Sequence, residues 1–415
     1  MEANRPLFAR FDQQYRAKLR ELGRFPSVQD ALGILHSAAG ENGELRRRLG
    51  HYLDSAHSLI NTGDETLVSA MLLRGLEKRQ LGRVGRINGG VSRVVGHFLE
   101  LQEEMRKRGF SYGKEIDPKF VALINAKIKK DGRLIPLLVA DFAQHLREIE
   151  RNAAPKPTVQ DERKTMAING RRFWAQLAKA ANWGVSTEIE DLSFKILEPG
   201  QYKKISENFP RHNRRLMADL QQRVRDALSE AGINARVQAR IKGKYRVYQT
   251  LVDKNGKLRK ENARLENGSK KKLLTPQDIG DLIGIRVITG SESEKDLHKA
   301  RAIVREEFAK ILKFKEERDY VSTPKESGYR AYHDRYSYKT PALPKQGVEF
   351  QFRTFPDHWK AEVGLPHFAY KFGGMHNPPK ELETQIGTLL KNAHRLYQKY
   401  ELGRLAKIIP DVEVK

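Results

Sequence analysis

Three groups of residues in the C-terminal half have the types and spacing that phosphate chemistry uses. The first is carboxylate. Asp281 stands at the head of DLIGIRVI, and Glu349 lies in VEFQFRT (Val348 to Thr354), where apolar and polar residues alternate. Strand periodicity puts Val348, Phe350 and Phe352 on one face and Glu349, Gln351 and Arg353 on the other. If the two strands are neighbours, their carboxylates can share Mg²⁺, a hard cation whose shell substrate phosphates complete. The second group is cationic. Arg240 and Lys242 alternate along ARIKGKYR, and Lys325 lies in the turn TPKESGYR; such groups hold and neutralise a polyphosphate for in-line attack. The third is Tyr329 in SGYRAYH, with Arg330 and His333 close by, where an exposed ring could stack on a base. Taken singly, each has an ordinary alternative: a strand-capping aspartate, a solvated strand face, surface lysines, a half-buried tyrosine.

Other chemistries are narrowed by what the sequence lacks. It has no G-x-x-x-x-G-K-[ST] phosphate loop and no H-E-x-x-H, so His358, Glu362 and His367 in HWKAEVGLPH are not read as a zinc set. Zero cysteines exclude disulfides, thiolate metal sites and cysteine nucleophiles, and fit a cytoplasmic location. No apolar run approaches the ~18 residues of a membrane helix. The first twenty residues carry charges throughout, so no signal peptide is expected. The 77 basic and 52 acidic residues leave a net charge of +25, which attracts polyanions. The excess is uneven: 33 basic and 25 acidic residues in 1–200, against 44 and 27 in 201–415. Arg236 to Lys272 alone holds 13 basic and three acidic residues.

The elements that must position these groups change character along the chain. DETLVSAMLLRGLEKRQ, LIPLLVADFAQHLREIERN, RRFWAQLAKAANW, EIEDLSFKIL and NRRLMADLQQRVRDALSEAG all read as helices. From Ile233 the period becomes two: INARVQARI, IGDLIGIRVIT, YHDRYSYK and VEFQFRT read as strands. SEKDLHKARAIVREEFAKIL and DHWKAEVG read as helices among them, and KELETQIGTLLKNAHRLYQKYELGRLAK as a closing helix. NGKLRKENARLENGSKKK reads as a mobile basic loop. The expected fold class is α+β: a helical domain over 1–195, a mixed-sheet domain with flanking helices over 196–380 and a C-terminal helix over 381–415.

In order, ARIKGKYRVY, DLIGIRVI, DYVSTPKESGYRAYH, VEFQFRT and HWKAEVGLPHFAYK resemble the synthetase domain of the RelA/SpoT family of alarmone pyrophosphokinases. The family runs R-x-K-x-x-Y-S-I, D-L-I-x-x-R, D-Y-I-x-x-P-K-x-N-G-Y-x-S-x-H, V-E-I-Q-I-R-T and a segment like A-E-x-G-x-A-x-H-x-x-Y-K. The resemblance implies a nucleotidyltransferase-like sheet domain that transfers the β,γ-pyrophosphate of ATP to the ribose 3′-hydroxyl of GDP or GTP. By position it assigns Arg240 and Arg286 to the adenine of ATP, Lys242 to its phosphates and Asp281 to Mg²⁺. Glu349 would orient or deprotonate the hydroxyl and share the metal, and Tyr329 would stack on the acceptor base. Lys325, His333, Gln351 and Arg353 would contact the acceptor.

Departures qualify these expectations. Arg246 stands for the family serine, Thr250 for a lysine (Lys254 could replace it) and Ser327 for the asparagine of P-K-x-N-G-Y. With the basic segment 236–272, Ser327 keeps two alternatives open: transfer to a tRNA 3′ end or an adenine nucleotide as a toxin, and a non-enzymatic RNA-binding module. Upstream, the chain resembles the family's HD hydrolase domain in defective form. LLRGLEK puts Leu73 and Arg74 where the family has its His-Asp pair, and VADFAQHLR keeps only Asp141 and Arg147 of the polar set. The expectation is a pseudo-hydrolase scaffold, because an arginine would sit where a Mn²⁺ belongs. The family's C-terminal TGS and ACT domains, and with them activation by the ribosome, are not expected.

Overall fold

Helix signals and period-two segments sort the chain into two compact units, Met1–Leu197 with Asn377–Lys415, and Glu198–His376. The computed structural model describes residues 18–23, 25–59, 64–76, 89–151, 157–181, 183–209, 213–263, 271–290, 293–326, 328–339, 347–363, 381–382, 384–393 and 395–396. Ser327 and His367 lie outside them.

The first unit is helical: α1 (Pro26–Glu41), α2 (Gly43–Arg47), α3 (Leu49–Ser58), α4 (Glu65–Leu73), α5 (Gly89–Lys107), α6 (Pro118–Lys130), α7 (Leu134–Arg151), α8 (Pro157–Asn169), α9 (Ala175–Ala181) and α10 (Trp183–Leu197). Caps fix several starts. The Asp64 carboxylate accepts from the backbone N–H groups of Thr66 and Leu67 at 2.9 and 3.1 Å, and Asp117 accepts from Phe120 N–H at 2.7 Å just ahead of Pro118. α7 is the central helix, buried continuously from Leu134 to Gln144, and it carries the buried Asp141. Phe142 on it stacks on Trp174 at 4.9 Å, within a π-helical turn (Gly170–Trp174) between α8 and α9. Residues 384–393 are helical, and Asn392 Nδ2 donates to Asn125 Oδ1 at 2.8 Å.

The second unit is α11 (Pro199–Glu207), α12 (Asn213–Glu230), β1 (Ala235–Ile241), α13 (Lys244–Ala263), β2 (Ile283–Thr289), α14 (Glu294–Phe308), β3 (Leu312–Asp319), β4 (Tyr332–Tyr338), β5 (Gly347–Thr354) and α15 (Phe355–Val363). The sheet order is β1-β2-β5-β4-β3, with β2 and β5 parallel and the other pairs antiparallel. The expected α+β class is what the chain adopts. One sheet face is apolar: Val237, Ile283, Ile285, Val287, Phe350 and Phe352 form a core with Leu220 and Val224 of α12 and with Leu297, Val304 and Phe308 of α14. Phe350 and Phe352 are both 0% exposed, and each contributes roughly 2–3 kcal/mol of burial.

Three local expectations change. The strand in ARIKGKYR stops at Ile241, so Lys242 leaves the alternation; its N–H donates to the Leu282 carbonyl at 2.8 Å before α13 begins. The stretch read as a basic loop is helical as far as Ala263. Val247 and Leu251 bury one side of that helix, and the Asn255 amide exchanges two hydrogen bonds with the backbone of Leu274, at 2.9 and 2.7 Å. Residues 264–270 of it fall outside the described set. β3 carried no strand signal because LKFKEERD is charged on both faces, as an edge strand can be.

Candidate active site on the polar face of the sheet

Opposite the core, register lines up the polar residues of four strands. Gly284, Arg286 and Ile288 of β2 stand beside Glu349, Gln351 and Arg353 of β5; Arg335 and His333 of β4 stand beside Glu349 and Gln351 on the other side. On β1, Arg240 and Gln238 pair with Gly284 and Arg286. This face of β5 is not a solvated one, because Glu349 is 4% exposed and Arg353 2%.

Glu349 is held from several directions. Arg335 Nε donates to its Oε2 at 2.8 Å, Gln351 Nε2 donates to its Oε1 at 2.7 Å, and His333 Nδ1 lies 3.4 Å from the same Oε1. Burial alone would raise its pKa, but hydrogen bonds from His333, Gln351 and Arg335 outweigh this and hold the carboxyl well below the usual carboxylate range. His333 shifts the other way. Burial lowers its pKa, Glu349 opposes that, and Arg353 and Lys325 lower it further, so the ring is neutral at pH 7. A neutral ring fits its geometry, in which Nε2 lies 2.7 Å from the Tyr329 hydroxyl.

Tyr329 follows Gly328, whose φ of +72° favours glycine, in a turn closed by Gly328 N–H to the Lys325 carbonyl at 2.7 Å. Arg353 Nη2 donates to the Tyr329 hydroxyl at 2.7 Å and to Gln351 Oε1 at 3.1 Å, and its guanidinium lies 4.8 Å from the Tyr329 ring centre. Lys325 Nζ lies 5.2 Å from that ring and 4.4 Å from the ring of Tyr320. Burial raises the Tyr329 pKa. Glu349, Gln351, Arg353, His333, Tyr329 and Lys325 are therefore one cluster.

Of the remaining expected residues, Arg286 stands beside Gln351 in the β2–β5 pair, whereas Lys242, Asp281 and Arg240 lie outside the hydrogen-bonded cluster. Lys242 Nζ donates to both oxygens of Asp281 at 2.9 and 2.8 Å, in the turn before β2 rather than on the strand. Arg286 Nη1 donates to Gln238 Oε1 at 3.4 Å, and Arg240 is exposed. Three participants escaped sequence reasoning: Arg335, Glu316 and Tyr320. Arg335 had a signal, since it sits two residues after His333 in an alternating strand.

The two carboxylates expected to share a metal differ in what they offer one. Among the described residues no cluster of three or more His, Asp or Glu could hold a metal ion. The Asp281 side chain is 33% exposed, which fits a Mg²⁺ that substrate phosphates complete. Glu349, with its side chain 6% exposed and both oxygens hydrogen-bonded, fits such an ion less well. The start of β5 is seated by Gly347: a Cβ there would lie 2.2 Å from the backbone of Gly280, next to Asp281. Gly347→Ala is expected to push the Asp281 turn outward and cost about 1–3 kcal/mol of stability in urea unfolding; an unchanged midpoint would show that the turn need not be tight.

In the first unit, Arg74 and Asp141 form a buried ion pair, Nε to Oδ1 at 2.9 Å, with side chains 6% and 3% exposed. The Tyr112 hydroxyl and Gln102 Nε2 donate to the other Asp141 oxygen at 2.9 and 3.4 Å. Arg74 also lies 5.0 Å from the centre of the Tyr52 ring. Arg147 forks onto Glu188 and donates to Gln144 Oε1 at 2.9 Å. Asp141 is thus neutralised by an arginine and the hydroxyl and amide donors beside it.

A mixed five-stranded sheet with Arg240, Arg286, Arg335, Arg353 and the buried Glu349 on one face and an apolar core on the other defines an α+β protein. Residues 239–375 match the family described as "Region found in RelA / SpoT proteins". It is 28% identical over 382 residues to the guanosine-3′,5′-bis(diphosphate) 3′-pyrophosphohydrolase of Aquifex aeolicus, covering 85% of this chain and 47% of that protein. It is 28% identical over 252 residues to the GTP pyrophosphokinase of Escherichia coli K12, covering 59% and 29%. The chain spans less than half the length of these curated relatives. Among solved structures it is similar to small alarmone synthetase 1 of Bacillus subtilis bound to pppGpp, with 20% identity and a TM-score of 0.31, covering 50% of this chain and 100% of that one.

Proposed function

We propose that the chain is a pyrophosphokinase transferring the β,γ-pyrophosphate of ATP to the ribose 3′-hydroxyl of GDP or GTP. The observation that carries this reading is the hydrogen-bonded cluster of Glu349, Gln351, Arg353, His333 and Tyr329, flanked by Lys325, in a chain whose residues 239–375 match this family. The acceptor base packs on Tyr329, and Lys325, His333, Gln351 and Arg353 contact the acceptor and its phosphates. Arg240 and Arg286 hold the adenine of ATP. Lys242 turns from Asp281 to the phosphates, leaving Asp281 to hold Mg²⁺. The ion would supply charge neutralisation on the polyphosphate. The acceptor oxygen forms a bond to Pβ, the bridging bond from Pβ to the α-phosphate oxygen breaks, and AMP leaves with that electron pair. The hydroxyl proton passes to Glu349. Because its pKa is depressed, Glu349 acts mainly by orienting the hydroxyl, which a loose transition state requires more than early deprotonation.

The helical unit is, in the same proposal, a scaffold without hydrolase activity: the Arg74 guanidinium holds the Asp141 carboxylate that a metal would need. With no described helix long and apolar enough to cross a membrane, and no cysteine, we assign the chain to the cytoplasm. A second reading, transfer to the 3′ end of a tRNA, draws on the exposed Lys254, Lys257, Arg259 and Lys260 of α13, which could contact RNA phosphates. One set of incubations decides among them. With labelled ATP, mass spectrometry should find pyrophosphate on GDP or GTP; label on tRNA alone would favour the second reading, and label on no acceptor would remove both. With ppGpp and Mn²⁺, no pyrophosphate should be released; release would overturn the scaffold reading.

A further inference from the structure

Arg335 is the residue the expected roles leave unused. It lies directly across from Glu349 in the β4–β5 pair and from Glu316 in the β3–β4 pair, so a line of side chains crosses three strands. Its Nε donates to Glu349 Oε2 at 2.8 Å and its Nη1 to Glu316 Oε2 at 3.2 Å, while Glu316 Oε1 takes Arg318 Nε at 2.7 Å. The Glu349 side chain is 6% exposed and that of Arg335 22%, so the bond to Glu349 is shielded from water on one side only. With Gln351 on Oε1 and Arg335 on Oε2, the carboxylate is gripped at both oxygens and its plane is fixed.

We propose that Arg335 is a positioning residue for the pyrophosphate transfer: it fixes the Glu349 carboxylate in the orientation that receives the acceptor hydroxyl. The inference rests on the transfer reading given above. Arg335 also supplies, on the protein side of Glu349, the positive charge that a second metal contact would otherwise provide, which leaves the divalent ion to Asp281 and the phosphates. The fold rests mainly on the apolar core of the opposite face and on the β4–β5 ladder, neither of which includes the Arg335 side chain.

The test uses the full chain and three proteins: wild type, Arg335→Gln and Arg335→Lys. For each, kcat and the KM values for ATP and GDP are measured, with Tm and the Kd of a non-hydrolysable ATP analogue. Arg335→Gln should lower kcat about 10²-fold, the cost of a misplaced catalytic group, while KM and Kd stay close to wild type and Tm falls by only a few degrees, because Gln351 and His333 still hold Glu349. Arg335→Lys, which keeps one charged donor, should recover part of kcat. A kcat near wild type in Arg335→Gln, a rise in KM with kcat unchanged, or a loss that follows a falling Tm and is not rescued by lysine would each overturn the inference. A wild type that makes no product with any acceptor would overturn the transfer reading itself.

Discussion

Glu349→Gln is expected to reduce kcat about 10³-fold while leaving the KM for ATP within a few-fold of wild type. The substitution keeps shape and volume on β5 but removes the charge that three neighbours are arranged to hold. Labelled-ATP transfer to GDP reads kcat, and calorimetry with a non-hydrolysable analogue reads binding. Retained kcat would take Glu349 out of the chemistry and return this face to a structural role. The same variant carries a pH signature. The folded-state pKa of Glu349 lies below its unfolded value, so its ionised form stabilises the fold above the ordinary carboxylate range and this contribution is lost as pH falls below it. Between about pH 5 and pH 3, wild type should therefore lose more stability than Glu349→Gln in urea unfolding.

The largest effect on stability is expected on the other side of the sheet. Asp334 on β4 is 0% exposed and receives Arg301 at 3.0 and 2.6 Å and Arg305 at 2.8 and 2.9 Å, both from α14. The guanidinium of Arg301 also lies 4.4 Å from the centre of the Tyr332 ring. A buried pair of this kind stabilises little against an apolar replacement, but removing one partner leaves a charge in the core. Asp334→Ala should thus cost about 3–5 kcal/mol, a large share of the 5–15 kcal/mol typical of a domain. Urea unfolding followed by circular dichroism measures it. A cost below about 1 kcal/mol would mean that Glu317, which already accepts from both arginines at 2.7 and 2.8 Å, can hold them alone.

Much of the sheet was legible because period two is a local signal. INARVQARI, YHDRYSYK and VEFQFRT show it directly, and the face it marks as apolar packs on the core; that the other face of VEFQFRT, with Glu349 and Arg353, is buried too was not legible from it. Where the local signal was weak, the reading failed. LKFKEERD is charged at nearly every position, and only its pairing with β4 makes it a strand. NGKLRKENA is polar throughout, yet it continues a helix whose earlier residues Val247 and Leu251 are buried. Asp281 and Glu349 illustrate a third kind of gap. Their strands are parallel neighbours, but Asp281 precedes its strand and is claimed by Lys242, whereas Glu349 is claimed by Arg335.

The sequence by itself determined which residues share a face, that the excess charge is positive, and the ordered motifs on which the resemblance rests, because each of these is carried by composition or by spacing of a few residues. Only the tertiary structure decided which strands lie side by side. The order β1-β2-β5-β4-β3 sets Arg335 across from Glu349 and brings Arg301 and Arg305 to Asp334 from about 30 residues away. Those partners are chosen by the requirement that one whole face of the sheet be buried, which fixes register for every strand at once and which no short stretch of sequence can express.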